Sequence, residues 1–192
     1  MPTFDFTAAV RRVCEDMPRR VRELSHVDME RVAVGFCQAR KATPHGLQAS
    51  LTPLRFEGGA EVKRVRGRRM VCQRPIDGSG RDYLYLLQFY LPRFQNHPLE
   101  EKLVTIVHEL WHISPAMDGD LRRHGGRCYV HGSSQREYDE QAARLARAWL
   151  AADPPEGLYD WLDRDFRTLA TEHGGVSGAR FPAPRLVALG AA

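Results

Sequence analysis

The sequence has no apolar stretch of the roughly 20 residues that a membrane-spanning helix needs. Its first residues lack the basic start and apolar block of a secretory signal peptide. The four cysteines form no Cys-x-x-Cys pair, which excludes a structural zinc ribbon. These absences predict a protein with no membrane partner, located in the cytoplasm, with four reduced thiols at Cys14, Cys37, Cys72 and Cys128.

Neither charge sign dominates the chain, which has 28 Lys and Arg residues, 24 Asp and Glu residues and a net charge of +4. With 192 residues the chain is long enough for one folded unit with a real core. We expect a single domain over residues 1–175 and a Pro/Gly-containing C-terminal tail over residues 176–192. The mild basic excess permits contact with nucleic acid and does not require it.

The apolar periodicity predicts an α+β fold. Its strongest strand signal covers residues 82–91, which are apolar on both faces. Shorter strands are expected at residues 31–37, 48–56 and 69–74. A helix that begins at Pro98 follows, and further helices flank these elements toward both termini. The order predicts a small, mostly antiparallel sheet packed on one central helix.

The most informative motif is His108-Glu109-Leu110-Trp111-His112. Residues four apart lie on the same face of a helix, so His108 and His112 can bind one metal ion. Glu109 lies about 100° around the helix axis, where it can act on a metal-bound water without displacing it. Two neutral nitrogen ligands, a carboxylate base and an open coordination position are what a catalytic Zn²⁺ requires.

The flanking residues support this interpretation. On a helical wheel Thr105, His108, Glu109 and His112 share a sector of about 100°. Apolar residues fill the opposite sector: Leu103, Ile106, Val107, Leu110 and Ile113. A narrow polar stripe on a helix otherwise built for burial is typical of an active-site helix.

Two histidines do not hold zinc tightly, so a third protein ligand is expected. The candidates downstream are Asp118, Asp120, His124, His131, Glu137 and Glu140. Asp118 suits a short turn after the helix, but Pro115 occupies a position where such turns need a glycine with positive φ. The two glutamates would also serve as ordinary helix-stabilising residues. His124 and His131 each precede a glycine, and spacing alone favours neither.

Several stretches of the sequence resemble the phage-type metallopeptidase family. They lie at residues 108–115, 118–124 and 126–132, at Tyr138-Asp139 and, upstream, at residues 51–56 and 89–94. A more distant resemblance is to archaeal metallopeptidases, in which an HExxH helix, a Gly-x-Leu-Arg stretch and a histidine follow one another. SprT-like proteases, which cut proteins crosslinked to DNA, are more distant still. The resemblance implies a zincin-like fold, a polypeptide substrate and His124 as the third zinc ligand.

The expected chemistry follows from this set of residues. Zn²⁺ held by His108, His112 and His124 would lower the pKa of a bound water, and Glu109 would take its proton. The donor for the tetrahedral oxyanion is expected among Arg127, Tyr129 and Tyr138. Candidates to orient the ligand imidazoles are Asp118, Asp120 and Asp139, which could equally cap loops.

A basic cluster at residues 63–69 contains Lys63, Arg64, Arg66, Arg68 and Arg69. It predicts a hairpin loop between strands that could make a weak contact with nucleic acid, or simply remain solvated. The first alternative function is therefore a DNA-associated, SprT-like protease. A second is a non-catalytic zinc protein that binds a partner, and a third is hydrolysis of small amides by an aminoacylase-like or deformylase-like enzyme.

Overall fold

A computed structural model of the protein describes residues 2–39, 43, 45–123 and 135–189. Its α-helices are α1 Phe6–Arg20, α2 Leu99–Trp111, α3 Gln135–Ala151, α4 Glu156–Tyr159 and α5 Phe166–Glu172. Its strands are β1 Phe4–Asp5, β2 Val32–Gln38, β3 Ala49–Pro53, β4 Val62–Val65, β5 Arg68–Cys72, β6 Tyr85–Leu91, β7 Val176–Ser177 and β8 Leu186–Ala188. This mixture of helices and small sheets confirms the α+β class.

The central sheet has the strand order β2-β6-β3. Strand β2 runs parallel to β6, with Val34 opposite Leu87, and β3 runs antiparallel to it, with Leu51 opposite Leu87. The sheet that packs on the helices is therefore mixed. Two further small sheets pair β1 with β7 in parallel and β4, β5 and β8 antiparallel. The sequence predicted one sheet because strand periodicity does not record which strands become neighbours.

Strand β6 is apolar throughout because both of its faces are covered. Tyr85, Leu87 and Phe89 enter the large core shared with the helices. Leu86 enters a smaller cluster on the other face, with Ala33 and Leu54 and, packed against them, Cys72, Tyr83 and Phe181. A strand buried on both faces loses the alternation of apolar and polar residues that marks a half-exposed strand.

Helices α1 and α2 pack on the central sheet, α3 packs on α2, and the three helices form most of the core. Each contributes apolar side chains three or four residues apart, as amphipathic helices do. The fully buried members are Phe6, Val10, Val13, Met17, Leu103, Ile106, Val107, Leu110, Ala142, Leu145 and Trp149. Burying an aliphatic or aromatic side chain of this size stabilises a fold by about 1.5–3 kcal/mol. The core therefore fixes how α2 and α3 lie against each other.

Residues 176–189, assigned from the sequence to a C-terminal tail, contribute two strands and a cover for the central sheet. Val176 pairs with Phe4, and Val187 pairs with Val71. The backbone carbonyl of Phe181 accepts a hydrogen bond from Gln88 Nε2 at 3.1 Å. The described part of the tail thus packs on all three sheets.

Within the described ranges, none of the helices combines the length and the apolar character that crossing a membrane requires.

Candidate metal centre

Helix α2 carries the HExxH motif on its polar stripe, which α3 and the strand β3 partly cover. The helix begins after Pro98, with Glu100 and Glu101 in its first turn, where carboxylates interact favourably with the helix dipole. His108 lies in its last turn, and His112 is the residue that caps its C-terminal end. The predicted helix from Pro98 to about Ile113 is therefore confirmed.

The two imidazoles of the motif converge on one point. His108 Nε2 lies 3.2 Å from His112 Nε2, and the ring planes are inclined at 79° to each other. Two nitrogen ligands of a tetrahedral Zn²⁺, each about 2.05 Å from the metal, stand about 3.3 Å apart. The pair therefore has the separation that zinc requires.

The outer nitrogens of both imidazoles are held by helix α3. The Tyr138 hydroxyl lies 3.0 Å from His112 Nδ1, and Asp139 Oδ1 lies 3.3 Å from His108 Nδ1. An ionised carboxylate only accepts hydrogen bonds, so a neutral His108 carries its proton on Nδ1. The lone pair on its Nε2 then faces His112, which is the tautomer that a metal ligand needs.

Glu109 is buried beside the histidine pair, with 8% of its surface exposed. Burial raises the pKa of its carboxyl group to about 7, and a hydrogen bond with the backbone of Leu51 opposes the rise. Leu51 lies on β3, the strand at one edge of the central sheet. A backbone group of this strand thus helps to position the carboxyl group.

A second contact joins the polar stripe of α2 to β3. The Thr105 hydroxyl donates a hydrogen bond of 3.0 Å to Gln48 Oε1, in the residue that precedes the strand. The sequence placed Thr105 on the stripe but gave no sign of Gln48 or Leu51. Gln48 and Leu51 reach the site through pairing with residues that are distant in the sequence. Leu51 also acts through a backbone group, which any residue would supply.

The loop after α2 is fixed to the end of that helix. Arg122 donates from its backbone to the His112 carbonyl at 2.7 Å and from Nε to the Trp111 carbonyl at 2.8 Å. Its guanidinium also lies 3.7 Å from the centre of the Trp111 ring. These contacts satisfy carbonyls that a helix end leaves without partners. They hold the chain close to the histidine pair two residues before His124.

Two of the three carboxylates predicted to orient imidazoles stabilise this loop. Asp118 Oδ1 accepts from the Asp120 backbone at 3.1 Å. The Asp120 carboxylate accepts from the Gly58 backbone at 3.0 Å and from Arg123 Nε at 2.8 Å. Among the described residues, Asp139 is the one of the three that contacts an imidazole of the motif, at His108 Nδ1. Loop capping is therefore the role of Asp118 and Asp120 here.

In the described ranges no group of three His, Cys, Asp or Glu side chains forms a metal cluster. Asp118, Asp120, Glu137 and Glu140 thus do not complete a site with the histidine pair, and Glu140 instead pairs with Arg136 at 3.0 Å. The remaining candidates lie outside the described residues: His124 and His131 as ligands, and Arg127 and Tyr129 as oxyanion donors.

Comparisons with models of protein families, with curated proteins and with solved structures find no match for this chain. The resemblance to phage-type metallopeptidases therefore stays a prediction.

Proposed function

We propose that the protein is a zinc-dependent metallopeptidase with a zincin-like fold, related to the phage-type metallopeptidases. The observation that carries the proposal is the convergence of two Nε2 atoms at 3.2 Å while α3 holds both Nδ1 atoms. Two histidines of a solvated helix would need neither the convergence nor the two outer contacts. The donor set, two neutral imidazoles with a buried carboxylate beside them, fits Zn²⁺ and its hydrolytic chemistry.

We propose His108, His112 and His124 as the residues that would hold the metal. His124 follows Arg122, whose bonds to Trp111 and His112 keep the chain at the end of α2. His131 is the alternative third ligand. Bound zinc would supply an electrophilic centre that acidifies water and polarises a carbonyl group.

Glu109 is the proposed general base and acid. Its carboxylate takes the proton from the attacking water and then delivers it to the nitrogen of the departing amine. A pKa near 7 matches a group that must accept and release a proton at neutral pH. The Leu51 backbone keeps the carboxyl group oriented, so that its second oxygen can face the water.

The edge of β3 is the proposed binding site for the polypeptide substrate. Gln48 and Leu54 direct backbone groups to β6, since the Gln48 carbonyl accepts from Tyr90 and the Leu54 amide donates to Leu84. Alternate residues of a strand direct these groups to the other side, so those of Ala49 and Leu51 face away from β6. An extended peptide can pair with the groups of this edge that the bond between Leu51 and Glu109 leaves free.

We also propose that the enzyme acts in the cytoplasm, where its thiols would stay reduced. Cys14, Cys37 and Cys72 are free thiols in the structure, and Cys128 lies outside the described residues.

The test combines metal analysis with hydrolysis of an unfolded, fluorescently labelled protein. Glu109→Gln is expected to keep bound zinc and to lose hydrolysis, because the amide cannot take a proton from water. Glu100→Gln, an exposed position in the first turn of the same helix, is the matched control and should keep both. Hydrolysis retained by Glu109→Gln would contradict the mechanism.

The ligand set has its own experiment. Zinc content is measured by mass spectrometry of metals in His108→Ala, His112→Ala, His124→Ala and His131→Ala. We expect His131→Ala alone to retain the full metal content. Full zinc in His124→Ala would remove that residue from the site.

A further inference from the structure

The two-stranded hairpin formed by β4 and β5, here called the basic hairpin, concentrates positive charge. Its five cationic side chains fall within seven consecutive residues: Lys63, Arg64, Arg66, Arg68 and Arg69. The sequence predicted a loop here, but these residues form two paired strands joined by the turn Arg66-Gly67. The pairing fixes the charges on a stiff ribbon.

In the part of the chain that the structure describes, no acidic side chain pairs with the cations of the basic hairpin. None of its five cations takes part in an ion pair with another described residue, although arginines elsewhere on the surface commonly do. Just below it, Arg55 and Arg74 both pair with Glu61 and Asp82 at 2.9–3.7 Å. Acidic residues thus stabilise the base of the ribbon and are absent from its described outer part.

The charges lie on both faces of the ribbon and at its tip. Arg64 lies directly opposite Arg69 on one face, while the other face carries Lys63 and Arg68. Like charges directly opposite each other destabilise a strand pair, so the fold itself does not favour this arrangement. A negatively charged partner that contacts both faces of the ribbon would favour this arrangement.

The turn residue is also costly for the fold. Arg66 adopts a φ of 49°, which glycine, asparagine or aspartate would reach with less strain in a two-residue hairpin turn. A cation at this position puts a charge at the tip of the ribbon. Strain of this kind is more often found where a side chain serves binding.

Protection of a sheet edge explains only part of the charge. Strand β4 is an edge strand, and lysine or arginine there would discourage pairing with other molecules. Strand β5 pairs with β8 over Met70–Cys72, and the Leu189 amide donates to the Arg69 carbonyl at 2.9 Å, so β5 has no free edge as far as Arg69. The charge of Arg69 needs a different explanation.

We infer that the basic hairpin is a contact site for double-stranded DNA and inserts into the major groove. That groove is about 12 Å wide, admits a two-stranded ribbon and has phosphates on both walls, which suits cations on both faces and at the tip. Strands β4, β5 and β8 contain no aromatic residue on which unstacked bases could lie, which disfavours single strands. The deep, narrow major groove of RNA duplexes would not admit the ribbon.

The position of the basic hairpin relative to the candidate metal centre is fixed through the loop that precedes β4. The Arg55 backbone donates to the Gly119 carbonyl at 3.1 Å, and the Gly58 backbone donates to Asp120 at 3.0 Å. Both acceptors lie in the loop that follows α2. DNA held by the basic hairpin would therefore be held at a fixed place relative to that helix. The DNA contact itself does not depend on the proposed peptidase activity.

The experiment measures binding of the full-length protein to a fluorescein-labelled 24-base-pair DNA duplex by fluorescence anisotropy, between 50 and 200 mM NaCl. If all five cations contact phosphates, the logarithm of the association constant should fall with the logarithm of the salt concentration with a slope of about −4.5. The affinity would then fall about 500-fold across this range. Arg64→Gln with Arg69→Gln removes one face, and Lys63→Gln with Arg68→Gln removes the other. Each pair should reduce the slope by about 1.8.

The control removes charge from other surfaces, with Arg12→Gln and Arg167→Gln, and should leave the slope within about 0.5 of the wild type. Thermal unfolding of every variant checks that the fold is intact. An unchanged slope in either face variant overturns groove insertion, as does tighter binding of the single strand. Equal binding to poly-glutamate or to anionic lipid vesicles through the same residues would overturn the assignment to DNA.

Discussion

Replacement of Tyr138 by phenylalanine is expected to weaken zinc binding about 10- to 100-fold. The hydroxyl that would be lost lies 3.0 Å from His112 Nδ1 in a buried setting, where only 4% of the Tyr138 surface is exposed. A buried polar group that loses its partner costs about 1–3 kcal/mol, which corresponds to a factor of about 5 to 150 in affinity. Loss of a contact that orients a metal-bound histidine has an effect of the same size, typically 10- to 100-fold.

The substitution is conservative for the rest of the site. The phenyl ring can keep its stacking against the His112 imidazole, where the ring centres are 4.8 Å apart. The apolar packing of α3 is also unchanged. The expected change in zinc affinity therefore comes from the lost hydroxyl contact with the His112 imidazole.

The assay is a competitive zinc titration against a chromophoric chelator at pH 7.5. Tyr159→Phe, on α4, is the matched control and should bind zinc as the wild type does. The same preparations are then assayed for hydrolysis with zinc in excess. If Tyr138→Phe binds zinc within twofold of the wild type, the orienting role is refuted. Should kcat then fall by a factor of 100 or more, Tyr138 would instead be the oxyanion donor.

Two further predictions concern the framework around the site. Tyr85→Phe should lower the free energy of unfolding, measured in urea, by about 1–3 kcal/mol. The reason is that the buried hydroxyl donates to the Asp120 carbonyl and accepts from the Gly119 amide. An unchanged urea midpoint of unfolding would mean that the loop does not need this contact. Lys102 is buried and bonded to the Leu162 carbonyl at 2.6 Å, and burial lowers its pKa to about 8 from 10.5. Between those two pH values only the unfolded chain binds the proton, so the stability of the wild type relative to Lys102→Met should rise with pH across that window. Urea unfolding at pH 7.5, 9 and 10 measures this difference, and a flat difference would contradict the reasoning.

The parts of the site that the sequence could predict are those encoded locally. The four-residue spacing of His108 and His112 and the polar stripe around them are properties of one helix, and α2 has nearly the predicted bounds. Strand β6 was recognisable for the same reason, since a run of large apolar residues is visible without its neighbours. Local patterns of this kind depend on no other part of the chain.

The parts that the sequence could not predict depend on distant pairing. The backbone of Leu51 reaches Glu109 only because β3 pairs with β6 and presents its outer edge to α2. The basic hairpin is a second case, because Val62 and Val65 are three residues apart and β4 therefore lacks the two-residue apolar period that indicates a strand. Residues 186–188 became a strand through pairing with β5, which nothing in their own composition required.

The orientation of the two imidazoles in the candidate metal centre depends on the packing of α3. Tyr138 and Asp139 are adjacent on that helix and reach different imidazoles, so a small rotation of α3 would break both contacts at once. The rotation is set by the apolar face that begins four residues after Tyr138, with Ala142, Leu145 and Trp149 fully buried against the core. Trp149 is further held by a hydrogen bond of 2.8 Å from its indole nitrogen to Asp16 of α1. The core therefore determines the orientation of the imidazoles as well as the stability of the fold, and its variants should alter zinc affinity before they unfold the protein.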